Sequence, residues 1–272
     1  MNQTVVITGA GGVLCSSFAK AMAKTGAPIA LLDLNAAAAE TVAEEIRKDG
    51  GKAYGVNVLD KASLQDAHDR IVQDFGKCRV LINGAGGNNP KCTTAHETYQ
   101  PGDEDQEECK TFFNLDKEGF DFVFSLNLMG SLLPTQVFAK DMLGEKDCCI
   151  VNISSMNAYR PLTKIPAYSA AKAAVSNFTQ WLAVHFAQSG IRVNAIAPGF
   201  FVTNQNKALL FDEHGNPTAR TEKILNATPM KRFGEPEELL GTLLWLTDSK
   251  ASGFVTGIVV PVDGGFSAYS GV

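Results

Sequence analysis

Short apolar runs alternate along the chain with longer amphipathic segments, and this alternation predicts the secondary structure. The runs are rich in β-branched residues and nearly continuous, which is typical of strands buried on both faces of a parallel sheet. The predicted strands are residues 4–8, 29–33, 52–58, 79–83, 149–154, 192–197 and 255–262. The predicted helices are residues 14–25, 36–49, 61–75, 117–143, 166–188 and 235–247. We therefore expect one α/β domain over residues 1–272, with a doubly wound parallel sheet and helices on both faces.

Two segments interrupt this alternation. Residues 88–115 are polar, acidic in the middle and aperiodic, and they follow the carboxyl end of the predicted strand 79–83. Residues 199–217 follow the strand 192–197 in the same way. Open α/β sheets bind ligands at the carboxyl ends of their strands, and connections of this length are usually functional. We expect 88–115 to be a specificity loop, with a plain surface loop as the alternative, and residues 199–230 to form a substrate lid.

Composition and charge exclude several classes of partner. Of the 272 residues, 45% are hydrophobic and 19% are charged, as in ordinary globular proteins, and the formal net charge is −5. An acidic chain without a basic run argues against nucleic acids and anionic membranes as partners. No uncharged apolar run approaches the roughly 20 residues that a membrane span requires. A small anionic substrate stays possible, because a few local cations are enough to bind it.

The six cysteines form no CxxC pair, and no histidine stands beside them at zinc-ligand spacing. We expect reduced thiols and a cytoplasmic protein, since disulfides belong to oxidising compartments. The first residues show neither the basic region nor the long apolar region of a signal peptide. Residues 103–108 are expected to be a solvated acidic run, and no metal is expected.

The first strand ends in the glycine turn TGAGG at 8–12, which leads directly into a helix. Glycines let the backbone approach a pyrophosphate, and the helix N-terminus offers free N–H groups. Asp33, at the end of the second strand, can accept hydrogen bonds from ribose hydroxyls and would repel a 2′-phosphate. No cation follows it, so we expect NAD rather than NADP. The alternative for Asp33 is a helix N-cap.

The fourth strand ends in NGAGG at 83–87, where small residues permit close passage beside a cofactor, although a tight turn explains them equally well. Tyr168 and Lys172 stand four residues apart in a predicted helix, so both side chains point the same way. A neighbouring cation lowers the pKa of a tyrosine from about 10 and makes the phenol a usable acid or base. The alternative is a core tyrosine beside a surface lysine.

Two further polar residues support a catalytic interpretation. Ser155 directly follows a strand and could hydrogen-bond a reacting oxygen. Asn127 lies in the apolar stretch before it, where an unpaired amide would be costly. This amide could hold a water that links Lys172 to solvent.

Together these features resemble the short-chain dehydrogenase/reductase family. The matching segments are TGAGG at 8–12, Asp33, NGAG at 83–86, Asn127, Ser155, Tyr168, Lys172, RVNAIAPG at 192–199, TG at 256–257 and VDGG at 262–265. The resemblance implies a Rossmann-type sheet of seven parallel strands. It also implies a catalytic tetrad in which Tyr168 is the acid/base, Lys172 binds the nicotinamide ribose, and Ser155 orients the substrate oxygen. Asn127 is the fourth member of this tetrad.

The resemblance implies the cofactor contacts as well. They are Gly9, Gly11, Gly12, Val13, Asp33, Asn57, Val58, Asn83, Ala85, Gly86, Tyr168, Lys172, Pro198, Gly199, Val202 and Thr203. The glycine turn departs from the family pattern Thr-Gly-x-x-x-Gly-x-Gly, because Val13 and Cys15 stand at its last two glycine positions. We therefore expect the pyrophosphate turn to be shifted in detail.

The irregular segments supply the candidate substrate contacts, which are Asn88, Asn89, Asn157 and Arg160. Arg160 could pair with a carboxylate, or it could be a solvated cation, and the amides could bind hydroxyls. We expect a hydroxylated acid or polyol. The stretches TGAGGVL, GGNNP and FFNLDKEGFDFVFSLNLMG resemble the sugar-acid branch of the family, which includes mannonate oxidoreductases.

The resemblance to that branch implies the reaction D-fructuronate + NADH + H⁺ ⇌ D-mannonate + NAD⁺. A gluconate-type 5-dehydrogenase or another polyol dehydrogenase is the nearest alternative, and an acyl-carrier reductase is more distant. A dinucleotide-binding regulatory protein without turnover represents a different class.

The predicted helices 117–143 and 166–188 are longer than one sheet face requires. In the family, the equivalent helices pack across a two-fold axis, often within tetramers, so a homo-oligomer is expected. Apolar residues at three and four spacing could form the seam, or they could equally face the sheet. They are Phe178, Trp181, Leu182 and His185.

Overall fold

The computed structural model describes residues 3–203 and 207–271 of the chain. Within these ranges, seven strands form a single parallel sheet in the order β3-β2-β1-β4-β5-β6-β7. The strands are β1 (Thr4–Thr8), β2 (Ile29–Asp33), β3 (Gly51–Gly55), β4 (Cys78–Asn83), β5 (Cys148–Ile153), β6 (Ile191–Pro198) and β7 (Val259–Val262). The strand order reverses between β1 and β4, and such a switch point opens a ligand crevice at the carboxyl ends of the strands. The predicted Rossmann-type fold with seven parallel strands is confirmed.

Helices cover both faces of this sheet. They are α1 (Val13–Ala23), α2 (Ala36–Glu45), α3 (Lys61–Phe75), α4 (Lys117–Phe124), α5 (Gly130–Met142), α6 (Pro166–Phe186), α7 (Lys207–Leu210), α8 (Ala219–Ala227), α9 (Leu240–Thr247) and α10 (Ser249–Ser252). The predicted helix 36–49 ends early, because Ile46 leaves helical geometry and a 3-10 turn takes over at Arg47–Asp49. The predicted helix 235–247 likewise begins as a 3-10 turn, Pro236–Leu239.

Two predicted elements are wrong in detail. The helix expected over 117–143 is divided by a π-helical turn, Ser125–Met129, which lies between α4 and α5. The last strand was expected over 255–262 but begins only at Val259, because Gly257 takes a positive φ of 80° and turns the chain just before it.

The core has two halves, one on each side of the sheet, and β1 shows why its apolar run is continuous. Val5 and Ile7 pack on one side, in a cluster that contains Phe18. Val6 packs on the other side, in a cluster that contains Phe138. Each fully buried side chain of this size contributes about 1.5–3 kcal/mol relative to an exposed one. Because helices cover both faces of the sheet, polar and apolar residues do not alternate along β1.

One stretch of the described residues, Lys117–Met142, is long and apolar enough by length and composition to cross a membrane, with a mean hydropathy of 1.4. Half of that window is buried inside the protein. The core helix of a globular domain has the same character, so this stretch is weak evidence for a span.

The predicted specificity loop, residues 88–115, folds back on itself and is hydrogen-bonded to neighbouring segments. The backbone N–H of Ala95 donates to the carbonyl of Lys110 at 2.7 Å, which closes the base of the loop. Thr94 N donates to Lys164 O at 2.9 Å, and the Lys223 ammonium on α8 pairs with Glu97 at 2.8 Å. The loop therefore contacts both the segment before α6 and the helix of the predicted lid.

Candidate active site

Tyr168 and Lys172 lie in the first turns of α6, which begins at Pro166, a residue that suits the first helical position. Four-residue spacing places both side chains on one face of the helix. Lys172 is buried, and its Nζ donates to the carbonyl oxygen of Ile153 at 2.8 Å. The same Nζ lies 5.6 Å from the centroid of the Tyr168 ring. The pair therefore sits at the carboxyl end of β5.

Asn127 lies in the π-helical turn and is fully buried. Its Nδ2 donates to the carbonyls of Gly87 at 2.8 Å and Val123 at 2.7 Å, and its Oδ1 accepts from Gly87 N at 3.3 Å. Gly86 leaves space beside it: a Cβ at this position would lie 2.7 Å from Asn127 Oδ1 and 3.1 Å from Lys172 Nζ. Asn127 and Lys172 thus converge on the same small volume.

Ser155 follows β5 and caps the 3-10 turn Met156–Ala158, with its Oγ accepting from Asn157 N at 3.2 Å. It is 7% exposed, and its side chain lies near enough to the Tyr168 phenol to lower the pKa of that group. The structure therefore brings all four members of the predicted tetrad to one end of the sheet.

Burial decides the protonation of the central pair. It lowers the pKa of Lys172 to about 8, while the Cys15 thiol group acts in the opposite direction. Burial also raises the pKa of Tyr168 to about 12, and the nearby Ser155 side chain only partly opposes this. The predicted lowering of the tyrosine pKa is wrong for the protein's own groups, because loss of solvation is the largest effect and raises this pKa.

Asn83 lies behind the site, in a ladder of buried polar side chains. Its Nδ2 donates to Thr135 Oγ1 at 3.0 Å and to Asn152 Oδ1 at 2.8 Å. Asn152 in turn donates to Thr179 Oγ1 at 2.9 Å. The ladder joins α5, β4, β5 and α6 through the Nδ2 of Asn83, whereas Asn83 Oδ1 is buried and has no hydrogen-bond partner within the described ranges. Sequence reasoning missed this ladder, although a polar residue inside a buried strand such as Asn152 is a detectable signal.

The glycine turn brings three predicted cofactor residues together. Gly9 has φ +67°, and a Cβ there would lie 2.9 Å from the backbone of Ala85. Gly11 N donates to Asp33 Oδ2 at 2.9 Å, and a Cβ on Gly11 would lie 3.2 Å from the same oxygen. Gly12 caps α1 without a side-chain hydrogen bond, so the first N–H groups of α1, which begins at Val13, face the turn. This cradle fits a dinucleotide pyrophosphate, because it offers a helix N-terminus and backbone that a Cβ would obstruct.

Asp33 is not the N-cap of the next helix. That position belongs to Asn35, whose side chain accepts from Ala38 N at 3.1 Å. The carboxylate of Asp33 accepts from Gly11 N and, at 2.8 Å, from Asn35 N, which holds it beside the glycine turn. Each carboxylate oxygen retains acceptor capacity for a hydroxyl.

Cys15 explains the departure from the family's glycine pattern. Its side chain occupies the space beside Gly84, where an added Cβ would overlap the Cys15 sulfur and lie 2.9 Å from the carbonyl of Thr8. The room that a glycine in α1 would leave is here provided by a glycine after β4. The position of the pyrophosphate relative to this turn stays a prediction.

The remaining predicted cofactor residues surround the same strand ends. Asn57 is exposed and turns its Oδ1 back to Leu59 N at 3.0 Å, whereas Val58 is buried. Pro198 ends β6. Gly199 lies against Asp263, and Val202 and Thr203 are partly buried. The backbone N of Ala85 donates to Thr8 Oγ1 at 3.3 Å. Residues 204–206 of the predicted lid lie outside the described residues.

The four predicted substrate residues differ from one another in burial and in hydrogen bonding. Asn157 is 4% exposed, and within the described ranges its Oδ1 has no hydrogen-bond partner. Asn89 uses its Oδ1 to cap Lys91 N at 2.9 Å, and Asn88 is exposed and donates to Thr93 at 3.4 Å. Arg160 is exposed just beyond the turn that holds Asn157. Of the four predicted substrate residues, only Asn157 is a buried polar group beside Ser155.

A family model described as enoyl-(acyl carrier protein) reductase matches residues 12–267. The chain belongs to the short-chain dehydrogenase/reductase family. Members of this family are oxidoreductases, so the protein is an enzyme of the oxidoreductase class.

Three similar proteins carry the names of oxidoreductases. A crystal structure of a Haemophilus influenzae protein, provisionally named a D-mannonate oxidoreductase and containing bound NAD, is 64% identical with a TM-score of 0.95, and the match covers 100% of this chain and 97% of that one. The oxidoreductase UxuB of Bacillus subtilis, itself uncharacterized, is 54% identical over 99% of this chain and 96% of its own length. The 5-keto-D-gluconate 5-reductase of Escherichia coli is 32% identical over 97% of this chain and 94% of its own.

Proposed function

We propose that this enzyme uses NAD(H) to interconvert a keto group and a secondary alcohol on a sugar acid, with D-fructuronate and D-mannonate as the favoured pair. The observation that carries the proposal is the convergence of four side chains beside the nucleotide cradle. They are Asn127, Ser155, Tyr168 and Lys172.

The choice of NAD rests on two findings. Asp33 is held beside the glycine turn by Gly11 N and Asn35 N, where its charge would repel a 2′-phosphate. The Haemophilus relative contains NAD in its crystal structure. When bound, NADH supplies a hydride to the carbonyl carbon of the substrate.

In this proposal Tyr168 donates a proton to the carbonyl oxygen during reduction and removes it from the alcohol during oxidation. Burial keeps its phenol protonated and ready to donate, since its pKa is raised to about 12. A cationic Lys172 at 5.6 Å, together with the positive charge of an oxidised nicotinamide, would favour the phenolate in the reverse direction. Ser155, whose side chain lies near the Tyr168 phenol, would hold the substrate oxygen beside it.

Lys172 needs a route for its own proton, and Asn127 supports one. The two side chains converge beside Gly86, so a water placed there would contact both. Asn127 is fixed by its hydrogen bonds to Gly87 and Val123 and can orient that water without moving.

The sugar-acid substrate is supported by Asn157 and by the relatives. The Oδ1 of Asn157, two residues after Ser155, is buried and has no hydrogen-bond partner among the described residues. A hydrogen bond from a substrate hydroxyl would offset the cost of burying it. Asn88, Asn89 and Arg160 complete the proposed substrate set, with Arg160 as the carboxylate partner. The provisional D-mannonate name of the Haemophilus relative favours the same substrate class.

A panel assay tests this function. Purified enzyme is mixed with NADH and D-fructuronate, 5-keto-D-gluconate, a neutral ketohexose or a steroid ketone, and the loss of NADH absorbance is followed. We expect the highest kcat/KM with D-fructuronate and little turnover of the steroid. Turnover of no keto sugar acid would sink the proposal and favour the regulatory alternative.

A second candidate is reduction of 5-keto-D-gluconate, favoured by the 32% identical Escherichia coli enzyme. The two substrates are 5-keto acids that differ only in the configuration of the hydroxyl-bearing carbon next to the carboxylate, so the same panel compares them directly. A kcat/KM at least 10-fold higher with 5-keto-D-gluconate would establish this second function.

We also propose that the enzyme is a homo-oligomer. The face of α6 carries stacked rings: Phe178 and Trp181 lie 6.4 Å apart, and Trp181 and His185 lie 4.7 Å apart. Trp181 is 57% exposed, as a residue at an interface between copies would be, whereas Leu182 is buried on the sheet side. The predicted apolar residues of α6 therefore include both kinds. A groove of about 480 Å³ lies between α5 and α6 along these rings. A second copy of the same face is the occupant we propose.

Sedimentation velocity tests this assembly. We expect Trp181→Asp to lower the molecular mass to that of the monomer, while Phe254→Ser, at an exposed apolar residue elsewhere, leaves it unchanged. A Trp181→Asp protein with the wild-type mass would disprove assembly through this face.

The setting that we propose is the cytoplasm, with a small-molecule substrate and neither nucleic acid nor membrane as partner. All six cysteines are buried free thiols. Residues 1–272 act as one catalytic domain in this proposal, with 88–115 as the specificity loop and 199–230 as the lid.

A further inference from the structure

Three side chains with metal-binding chemistry meet inside the specificity loop, although their spacing in the sequence matches no motif. His96 Nδ1 and Asp103 Oδ2 are 2.9 Å apart, and Cys109 Sγ lies beside them. The three potential ligand atoms are all within 4.8 Å of one another.

The backbone explains how these residues meet. Ala95 N donates to Lys110 O at 2.7 Å, and His96 and Cys109 are the next residues inward from this closed base. The 3-10 turn Asp103–Asp105 then brings Asp103 back from the tip of the loop. A ligand bound to all three would therefore join the tip of the loop to its base.

Burial sets this cluster apart from a solvated acidic run, and the expectation for residues 103–108 is wrong at Asp103. Asp103 is 4% exposed and Cys109 is 8% exposed, while His96 remains half exposed. Asp103 Oδ2 also accepts from Gln100 N at 3.1 Å. A buried carboxylate beside a buried thiol is unfavourable when both are ionised, and a cation bound between them would remove that conflict.

We propose that His96 Nδ1, Asp103 and Cys109 Sγ form a site for a divalent transition-metal ion, with Zn²⁺ as the favoured ion and the fourth position open to water. A set of imidazole, thiolate and carboxylate ligands suits Zn²⁺, whereas Mg²⁺ and Ca²⁺ prefer oxygen alone. Bonds of about 2.0–2.3 Å in a tetrahedron keep ligand atoms roughly 3.5 Å apart. Binding therefore needs the His96–Asp103 contact to open slightly and Cys109 Sγ to lie at a similar spacing, with the Cys109 thiol and His96 Nδ1 free of their protons.

The role of this ion is structural. It would fix residues 96–109. Glu97 within this segment already contacts Lys223, and Thr94 just before it contacts Lys164. Closing a chain segment through a metal lowers the entropy of its open states and so stabilises the closed loop.

Cobalt substitution tests the site, because a Co²⁺–thiolate bond gives a charge-transfer absorption that nitrogen and oxygen ligands do not give. Chelator-treated, reduced full-length protein is titrated with Co²⁺ and then with Zn²⁺. We expect the band to saturate at one Co²⁺ per chain and to disappear when Zn²⁺ displaces it. Cys109→Ser should abolish the band, whereas Cys92→Ser, at another buried thiol of the same loop, should retain it.

His96→Gln provides a second measurement that does not disturb a buried residue. We expect it to weaken Zn²⁺ binding at least 10-fold in competition with a chromogenic chelator, and to remove the increase in Tm that Zn²⁺ gives the wild type. No saturable thiolate band in the wild type, a band that survives Cys109→Ser, or wild-type Zn²⁺ affinity in His96→Gln would each overturn the proposal. NADH turnover is measured in parallel, so failure of the metal site is distinguishable from failure of the proposed reaction.

Discussion

Asn127 and Gly87 hold each other through two hydrogen bonds, one in each direction, although they are 40 residues apart. The third bond of the Asn127 amide goes to Val123 O, within the same helical stretch. Both Nδ2 hydrogens and one acceptor site of Oδ1 thus fix the backbone after β4 against the π-helical turn, and the second acceptor site of Oδ1 remains for a water. This arrangement places Gly86 directly between Asn127 and Lys172.

Gly86→Ala should reduce kcat strongly, by about 10-fold or more, because the new methyl group would lie 2.7 Å from Asn127 Oδ1 and 3.1 Å from Lys172 Nζ. A displacement of this size at a reacting centre is costly. Gly241→Ala is the matched control, since nothing lies within 4 Å of its added Cβ and it lies within α9. Steady-state kinetics with NADH and the favoured keto acid will measure both. Equal activity of the two variants would contradict the proposed relay.

Tyr168→Phe should lower kcat by roughly 10²–10⁴-fold while leaving NADH affinity within a few-fold of the wild type, because only the proton donor is removed. Tyr269→Phe, at a partly exposed tyrosine near the carboxyl end, should keep full activity. Turnover and NADH fluorescence titration together separate catalysis from binding. If Tyr168→Phe turned over as the wild type does, Tyr168 would not be the acid/base.

Lys172 should make folding more favourable as the pH rises above 8. Its pKa is about 8 in the folded protein against an ordinary 10.5, so the unfolded chain binds more protons between these values. The free energy of unfolding therefore gains about 2 kcal/mol from this group between pH 7.5 and 9.5. The buried cysteines, whose pKa values are raised above the ordinary 9.0, change the free energy of unfolding in the opposite direction over this range. Urea unfolding at both pH values should therefore reveal the gain as a difference of about 2 kcal/mol between Lys172→Met and both the wild type and the exposed-lysine control Lys24→Met. Lys172→Met should lack it, and an unchanged pH response there would refute the buried cation.

Asp33→Ala should weaken NAD binding by roughly 10–100-fold, since hydrogen bonds to a charged group are worth about 1.5–3 kcal/mol. It should also reduce the preference for NAD over NADP, because the charge that repels a 2′-phosphate is gone. Isothermal titration with both cofactors measures the ratio, with Asp49→Ala as a surface control. An unaltered ratio would show that Asp33 does not select the cofactor.

Lys223→Glu should raise KM for the keto acid by about 2–5-fold with little change in kcat, because it breaks the ion pair between α8 and Glu97 of the specificity loop. Exposed pairs contribute about 0–1 kcal/mol, which sets this modest size. The double variant Glu97→Lys with Lys223→Glu should restore KM. Persistence of the defect in the double variant would mean that the contact does not position the loop.

Much of the fold and of the candidate site was predictable from the sequence. The continuous apolar runs identified six of the seven strands to within a few residues, because both faces of a parallel sheet are buried. The shared helix face of Tyr168 and Lys172 and the position of the glycines at strand ends were also predictable. These features depend on local spacing, which a sequence records directly.

Tertiary structure decided what depends on distant partners. The π-helical turn interrupts a predicted continuous helix, and there Asn127 bonds to Gly87, a residue that the helical period does not include. The pKa of Tyr168 rises because packing removes its phenol from solvent, which the spacing of Tyr168 and Lys172 in the sequence does not show. Asp103 is buried with His96 and Cys109 because Ala95 and Lys110 close the loop. Burial and charge at these residues are set by packing between segments far apart in the chain, so the sequence determined the elements and the tertiary structure determined their chemistry.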